Sequence, residues 1–556
     1  MKTPRFIAAY YCVVLAAGSV ALRADEPFFD GLGTYERKIT TTSPEAQKYF
    51  NQGLRFLFGF NHGGAIRAFS AAAKADPDCA MAHWGIALAN GPHINFPIVP
   101  PPAAEAAWRE LTLARTHAAN ASAAEQALIE ALGKRYANPQ PEDRRPLDEA
   151  YAAAMRAVWQ ANPQDAEAGV LFAEAMLDLR PWDQWTADGK PQPGTEEVIQ
   201  TLDAVLKLQP DHPFANHLYI HTLEASPHPE RANAAAERLR NLQPGLAHNV
   251  HMPSHIDIRC GRWLEAVDGN LKAIAADKNY RAIVGPPRDL IIVYAAHNRH
   301  MLAYAAMMTG QSELALTHIR AMVAEMPEAF VKEYALMAEG FMAMPYEVLV
   351  RFGRWDEILQ EPEPAEYMPL SRVLRHAARG VAFAARNEVK AAREEQALFE
   401  AGSKNVPAEE TFGNNGAAAV VEVARRMLAG EILYREGRVN DALTELKAGV
   451  AAEDSLHYDE PPGWILPVRH ALGATLIQER RFAEAEEVYR DDLKRLPDNG
   501  WSLFGLSRCL RARDEKTEAA TVEERFKQIW SKADIAIASS CLCQPGVPEK
   551  VAADHL

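Results

Sequence analysis

The sequence predicts an all-α fold assembled from repeated pairs of short helices, and three observations lead there. Runs rich in Ala, Leu and Glu dominate, with few of the Val, Ile and Thr alternations that mark strands, and none reads as a strand. Small and large residues return at fixed offsets through most of the chain. Breaks rich in Pro and Gly separate the helical stretches. A chain of 556 residues, 48% hydrophobic and 24% charged, has ample material for a buried core, and repetition lets it reach that length without unrelated domains.

At the start, Lys2 and Arg5 precede an apolar run from Phe6 to about Leu22 that ends in Ala24 before Asp25, the layout of a secretory signal peptide over residues 1–24. The run is short for a spanning helix and nothing like it recurs. An exported chain is therefore expected, periplasmic or secreted, with no membrane span after signal removal. Cys12 lies inside the run, which argues against a lipoprotein cleavage site. Residues 25–46 read as an N-terminal extension. Taking Lys2, Arg5 and Arg23 from the 59 basic residues leaves 56 against 74 acidic ones, a formal charge of −18. That balance argues against nucleic acid or anionic lipid as a partner. Five cysteines remain, Cys79, Cys260, Cys509, Cys541 and Cys543, too scattered and odd in number for a disulfide scaffold.

From Gln47 the chain can be laid on a 34-residue helix-turn-helix pattern. With Gly53 at position 8, Phe56 falls at 11, Ala65 at 20, Phe69 at 24, Ala72 at 27 and Pro77 at 32. Gly473, Leu476, Ala485, Tyr489 and Pro497 repeat the register, as do Gly430, Leu433, Ala442 and Leu446. Ala303, Ala306, Ala315, Ile319 and Pro327 fit as well, and Gly380 with Ala392 marks another unit. This pattern resembles the tetratricopeptide repeat, in which small residues at 8 and 20 let two helices approach. The resemblance covers Gln47 to about Trp530 and implies an α-solenoid with loop insertions. It divides the chain into N-terminal helices over 47–210, central units over 211–330, C-terminal units over 331–534 and a tail, 535–556, carrying Cys541-Leu-Cys543. Four insertions break the pattern, at Phe96–Pro102, Trp182–Gly194, Tyr280–Asp289 and Glu361–Pro369, each too rich in Pro or Gly to continue a helix.

The central units hold seven of the eighteen histidines: His217, His221, His248, His251, His255, His297 and His300. Their spacings of three, four and seven put each cluster on one helix face. With Ala232 at position 20, His217 and His221 stand at 5 and 9 and Glu224 at 12. With Ala266 at 20, His248, His251 and His255 stand at 2, 5 and 9, and with Ala315 at 20, His297 and His300 stand at 2 and 5 with Tyr304 at 9. The repeat family turns these columns toward its concave groove, and the resemblance implies the same here. Seven of nine places are histidine, where 18 in 556 would put roughly 0.3 of one.

Packing does not generate such a pattern, and the reading that accounts for it is a transition-metal pocket of one or two ions. Neutral imidazole ligates zinc, copper, iron and nickel. His217, His221 and Glu224 form a two-histidine, one-carboxylate set, and His251, His255 and His300 a second, all-nitrogen set. Asp257, Asn298 and Tyr304 are the expected outer partners that fix ring orientation. The nitrogen-rich donor set suits copper or zinc, and iron if Glu224 coordinates. The alternative is a groove lined by hydrogen-bonding histidines that holds a protein or peptide, which makes the chain a non-catalytic adaptor in the cell envelope.

Other features point less far. Met252 and Met301 each follow a histidine, but methionine on an apolar helix face is packing. Trp84, Asn90, His93 and Asn95 read as the end of a helix, with His93 at the groove rim as the alternative. Arg180, Pro181, Trp182 and Asp183, ahead of Trp185, either cap the pocket or pack a loop. Cys541 and Cys543 form a bridge or hold a soft cation. No phosphate-binding glycine loop, Ser/His/Asp arrangement or His-Glu-x-x-His motif is present, so no catalytic residue is assigned and oxidoreductase or hydrolase activity stays open. The phrases YIHTLEAS, HMPSHI and AAHNRHM also resemble those of a group of exported bacterial tetratricopeptide proteins, which implies location but no reaction.

Overall fold

A computed structural model describes residues 26–285 and 290–546. The signal-like run therefore lies outside the described residues. The fold is all-α, built from antiparallel helix pairs, and the chain forms two compact units. One comprises Met1–Ile256 with Lys272–Ile291, the other Asp257–Leu271 with Ile292–Leu556. The predicted central block, 211–330, is thus shared between them.

The first unit contains the pair Pro44–Phe58 and His62–Ala75 in the predicted register. A Cβ on Gly53 would fall 2.4 Å from the Phe69 ring, so only glycine lets the two helices meet there. The second unit repeats the relationship. In the pair Val468–Gln478 and Phe482–Arg495, a Cβ on Gly473 would stand 2.4 Å from the Tyr489 ring, and in Ala417–Arg435 and Val439–Asp454 one on Gly430 would stand 2.7 Å from Leu446. A small residue facing a large one is thus the contact that sets helix separation within each pair.

The turns share a second device. Two residues beyond the end of the first helix, one residue adopts positive φ and reverses the chain into the next helix. Gly310, Gly437, Asn387 and Asp514 occupy this place, residue types that reach the left-handed region at little cost. Phe60 and Arg480, at φ 53° and 55°, are the departures.

Proline and glycine place the breaks. Pro101 and Pro369 each open a helix, where the missing amide donor is unneeded, so two predicted loops end inside the first turn of the next helix. Within the insertion expected over Tyr280–Asp289, the residues up to Val284 are helical instead, and Gly285 at φ 93° ends that helix, Trp263–Val284. The His248–His255 stripe is divided. Pro253 cannot donate a helical hydrogen bond, and the segment forms two short helices, Ala247–His251 and Pro253–Arg259. One strand pair, Thr411–Phe412 with Asn415–Gly416, corrects the expectation of none; Gly413 at φ 57° makes the reversal. Among the described residues, no helix is long and apolar enough to cross a membrane.

The tail is not loose. Residues up to Gln544 pack into the second unit, where Ser540 Oγ bonds Tyr489 at 2.6 Å and donates to the His470 carbonyl, while Arg351 donates to the Ser540 carbonyl. A bridge joins Cys541 and Cys543.

Candidate metal centre

In the first unit the helix Pro213–Leu223 carries His217 and His221. His212 caps it by accepting from the Ala215 amide, and Pro213 opens its first turn. Glu224 closes it. The Ala247–His251 helix adds His248 and His251, and His255 follows one turn beyond. All six side chains are buried, at 5% exposure or less.

Each ring has a fixed role. His217 Nδ1 lies 2.8 Å from the Phe58 carbonyl oxygen, which only accepts, so Nδ1 carries the proton and Nε2 holds the lone pair. His221 Nδ1 lies 2.9 Å from Glu224 Oε1, and the same logic leaves its Nε2 bare. Among the described residues, neither Nε2 atom meets a hydrogen-bond partner. One ligand nitrogen from each of His217, His221 and His248 lies within 4.8 Å of the others. Nitrogens sharing a tetrahedral ion sit roughly 3.3 Å apart, so small ring movements suffice to close the set.

Glu224 joins this triad to the next histidines. Its other oxygen, Oε2, stands 2.7 Å from His255 Nδ1, and His255 Nε2 stands 2.7 Å from His251 Nε2. Burial works to raise the Glu224 carboxyl, but His255 and His221 beside it hold it below the usual carboxylate range. Burial, with neighbouring imidazoles, pushes His217 and His248 well below the ordinary histidine value. Both rings are therefore neutral at neutral pH and keep a lone pair for a ligand.

Phe60 lies at the middle of this arrangement. Its ring centroid is 4.5 Å from His217, 5.4 Å from His248, 6.1 Å from His221 and 4.7 Å from His93. The turn that holds it is tight: a Cβ on Gly59 would meet Leu246 at 2.8 Å, and Asn61 caps the following helix by accepting from Gly64. A bulky residue at positive φ is unusual, and such strain collects at functional sites. Trp182, also at positive φ, has its ring centroid 5.3 Å from that of His221 with the two rings near perpendicular, and Trp185 Nε1 donates to the Thr222 carbonyl at 2.7 Å. Trp182 therefore packs beside the His221 ring, and Trp185 ties the loop to the helix that carries it.

Three contributors escape the sequence reading: Phe60, His62 and the Phe58 carbonyl. His93, set there at a helix end, is buried and stacks on His62 at 4.2 Å. The helix indeed ends at Ala89, with Asn90 bonded back to Ile86, so the helix stop belongs to Asn90. A histidine two residues past FGF was the one available signal, and it stands outside the groove columns.

The remaining expected residues belong to the second unit. His300 is buried, its ring edge-on to Phe341 at 5.8 Å, and burial lowers it to about 3. His297 is half-buried on the same helix. Asp257 pairs with Arg262 at 2.8 Å. Tyr304 packs edge-on against Trp263 at 5.6 Å, and neither its hydroxyl nor the Asn298 amide meets a hydrogen-bond partner among the described residues.

No protein-family model matches the sequence, and no curated protein does. Among solved structures, the chain is similar to the human IFIT1 dimer with m7Gppp-AAAA, at 12% identity over 88% of this chain and 91% of that one, with a TM-score of 0.33. It is similar also to the APC/C hetero-tetramer Cut9-Hcn1, at 12% identity over 84% and 76% with a TM-score of 0.31, and to the P58(IPK) TPR domain, at 13% over 88% and 97% with a TM-score of 0.21.

Proposed function

We propose that the first unit is a transition-metal-binding module whose ion is held by Nε2 of His217 and His221 together with His248. The observation that carries this reading is the pair of buried, unpartnered Nε2 atoms on rings whose Nδ1 atoms are already committed. A buried polar atom without a partner costs roughly 1–3 kcal/mol, and an ion held by two such atoms offsets that cost. Nδ1–H bonded to a carbonyl or a carboxylate is the arrangement that orients metal-binding imidazoles. Both Glu224 oxygens are engaged by histidine Nδ1 atoms, so Glu224 serves as the orienting carboxylate and the donors are nitrogens.

That donor set favours copper or zinc over iron. Bound there, such an ion supplies Lewis acidity, and copper adds a one-electron couple. The chain's own part is to hold the His217 and His248 rings neutral, orient His217 and His221 through Phe58 and Glu224, and pack Phe60 and Trp182 beside them. His251 and His255, whose Nε2 atoms share a proton at 2.7 Å, continue the histidine chain beyond Glu224. The proposal places the protein outside the cytoplasm, on the signal-like N-terminus alone, where it handles metal or uses it.

Elemental analysis tests this. Protein purified from the periplasm, stripped and reloaded, should retain about one equivalent of copper or zinc, and His217→Ala/His221→Ala should lose it. Retention unchanged in that variant sinks the reading. A second reading, an adaptor for a protein or peptide, follows from the stacked helix pairs and predicts a partner whose capture is indifferent to chelator and to the same substitutions.

A further inference from the structure

The second unit holds a further cluster that the metal centre does not use. Cys541 and Cys543 are buried, and Glu431, at 1% exposure, offers a carboxylate oxygen within 4.8 Å of both sulfur atoms. Glu431 lies on the Ala417–Arg435 helix, far from the tail in sequence, so the tail has been brought to it by folding. Gln544 Nε2 donates to Glu431 Oε2 at 3.3 Å and orients the group, while Oε1 meets no hydrogen-bond partner among the described residues. A buried carboxylate with one oxygen lacking a donor, on a side chain that reaches both sulfurs, is the second observation that a pair of cysteines needs to count as a site.

We infer that, when the Cys541–Cys543 bridge is reduced, the two thiolates and Glu431 hold one soft or borderline divalent cation. The chemistry balances simply. A dithiol reductant becomes its own disulfide while Cys541 and Cys543 each take up a proton, and the cation then displaces those two protons as it binds. Two thiolates and a carboxylate around a divalent ion leave one excess negative charge. Arg435, whose guanidinium donates to the Cys543 carbonyl, carries the matching positive charge. Oxidation closes the bridge and removes both thiolates, so occupancy follows the redox state of the tail.

Cadmium titration of the full chain tests the inference, read by the thiolate-to-cadmium charge-transfer absorption in the near ultraviolet. Dithiothreitol-reduced, desalted protein should develop the band with one equivalent, and oxidised protein and Cys541→Ser/Cys543→Ser should not. Glu431→Gln, which preserves shape, should bind about ten-fold more weakly. A band undiminished in the double serine variant, no band in reduced protein, or unchanged affinity in Glu431→Gln would each overturn it.

Discussion

His217 donates its Nδ1 proton to the carbonyl oxygen of Phe58 at 2.8 Å, a bond between residues 159 apart in sequence. Phe58 ends the first described helix, and Phe60, two residues on, is the left-handed residue packed among the imidazoles. One turn therefore both sets the tautomer of a candidate ligand and supplies the ring beside it.

That dual role makes Phe60 costly to replace. Phe60→Ala should lower unfolding stability by about 3 kcal/mol, as emptying a buried aromatic site does, and weaken metal binding as well. Denaturant titration with and without ion separates the two effects. Phe60→Leu should recover part of the stability.

Glu224 offers a separate test. As the carboxylate that orients His221 and His255, its change to Gln should weaken metal binding 10–100-fold while leaving about one ion bound at saturation. Calorimetric titration of the variant checks this. Complete loss of the ion would instead make Glu224 a ligand.

The register predicts its own weak points. Gly53→Ala would force a methyl against Phe69, and Gly473→Ala one against Tyr489, and each should cost roughly 1–3 kcal/mol. Gly437→Ala, whose Cβ would meet nothing within 4 Å, should cost only its strain at φ 75°. Urea unfolding of the three variants gives the ranking.

Much of this was legible in sequence because it is written as pairs at fixed spacing. Gly53 with Phe69 and Gly473 with Tyr489 name both sides of a contact, and the histidine columns follow the same period. Phe60 was not legible, because nothing in a phenylalanine announces a left-handed backbone; glycine, asparagine and aspartate hold the equivalent turns at Gly310, Asn387 and Asp514. The division of the His248–His255 stripe could have been read from Pro253, but the seven-residue spacing of its ends suggested one continuous helix. Glu224 counted as a donor by type, whereas its task depends on which atoms its two oxygens meet.

In the second unit, burial raises the Glu347 carboxyl to about 8, opposed only by its bond from the Ile465 amide. A carboxyl whose folded value exceeds its unfolded value contributes stability that is fully present below about 4.5 and is lost as pH rises toward 8. Glu347→Gln, a neutral stand-in, should escape that loss. Its advantage over the parent should grow from near zero at pH 4.5 to roughly 4 kcal/mol at pH 8, measured by denaturant unfolding across that range.

The most direct measurement is anomalous diffraction from crystals of metal-loaded protein, collected on both sides of the copper or zinc absorption edge. The account predicts a peak within bonding distance of Nε2 of His217 and His221 and of a His248 nitrogen. Loaded protein that shows no peak among these three rings contradicts it.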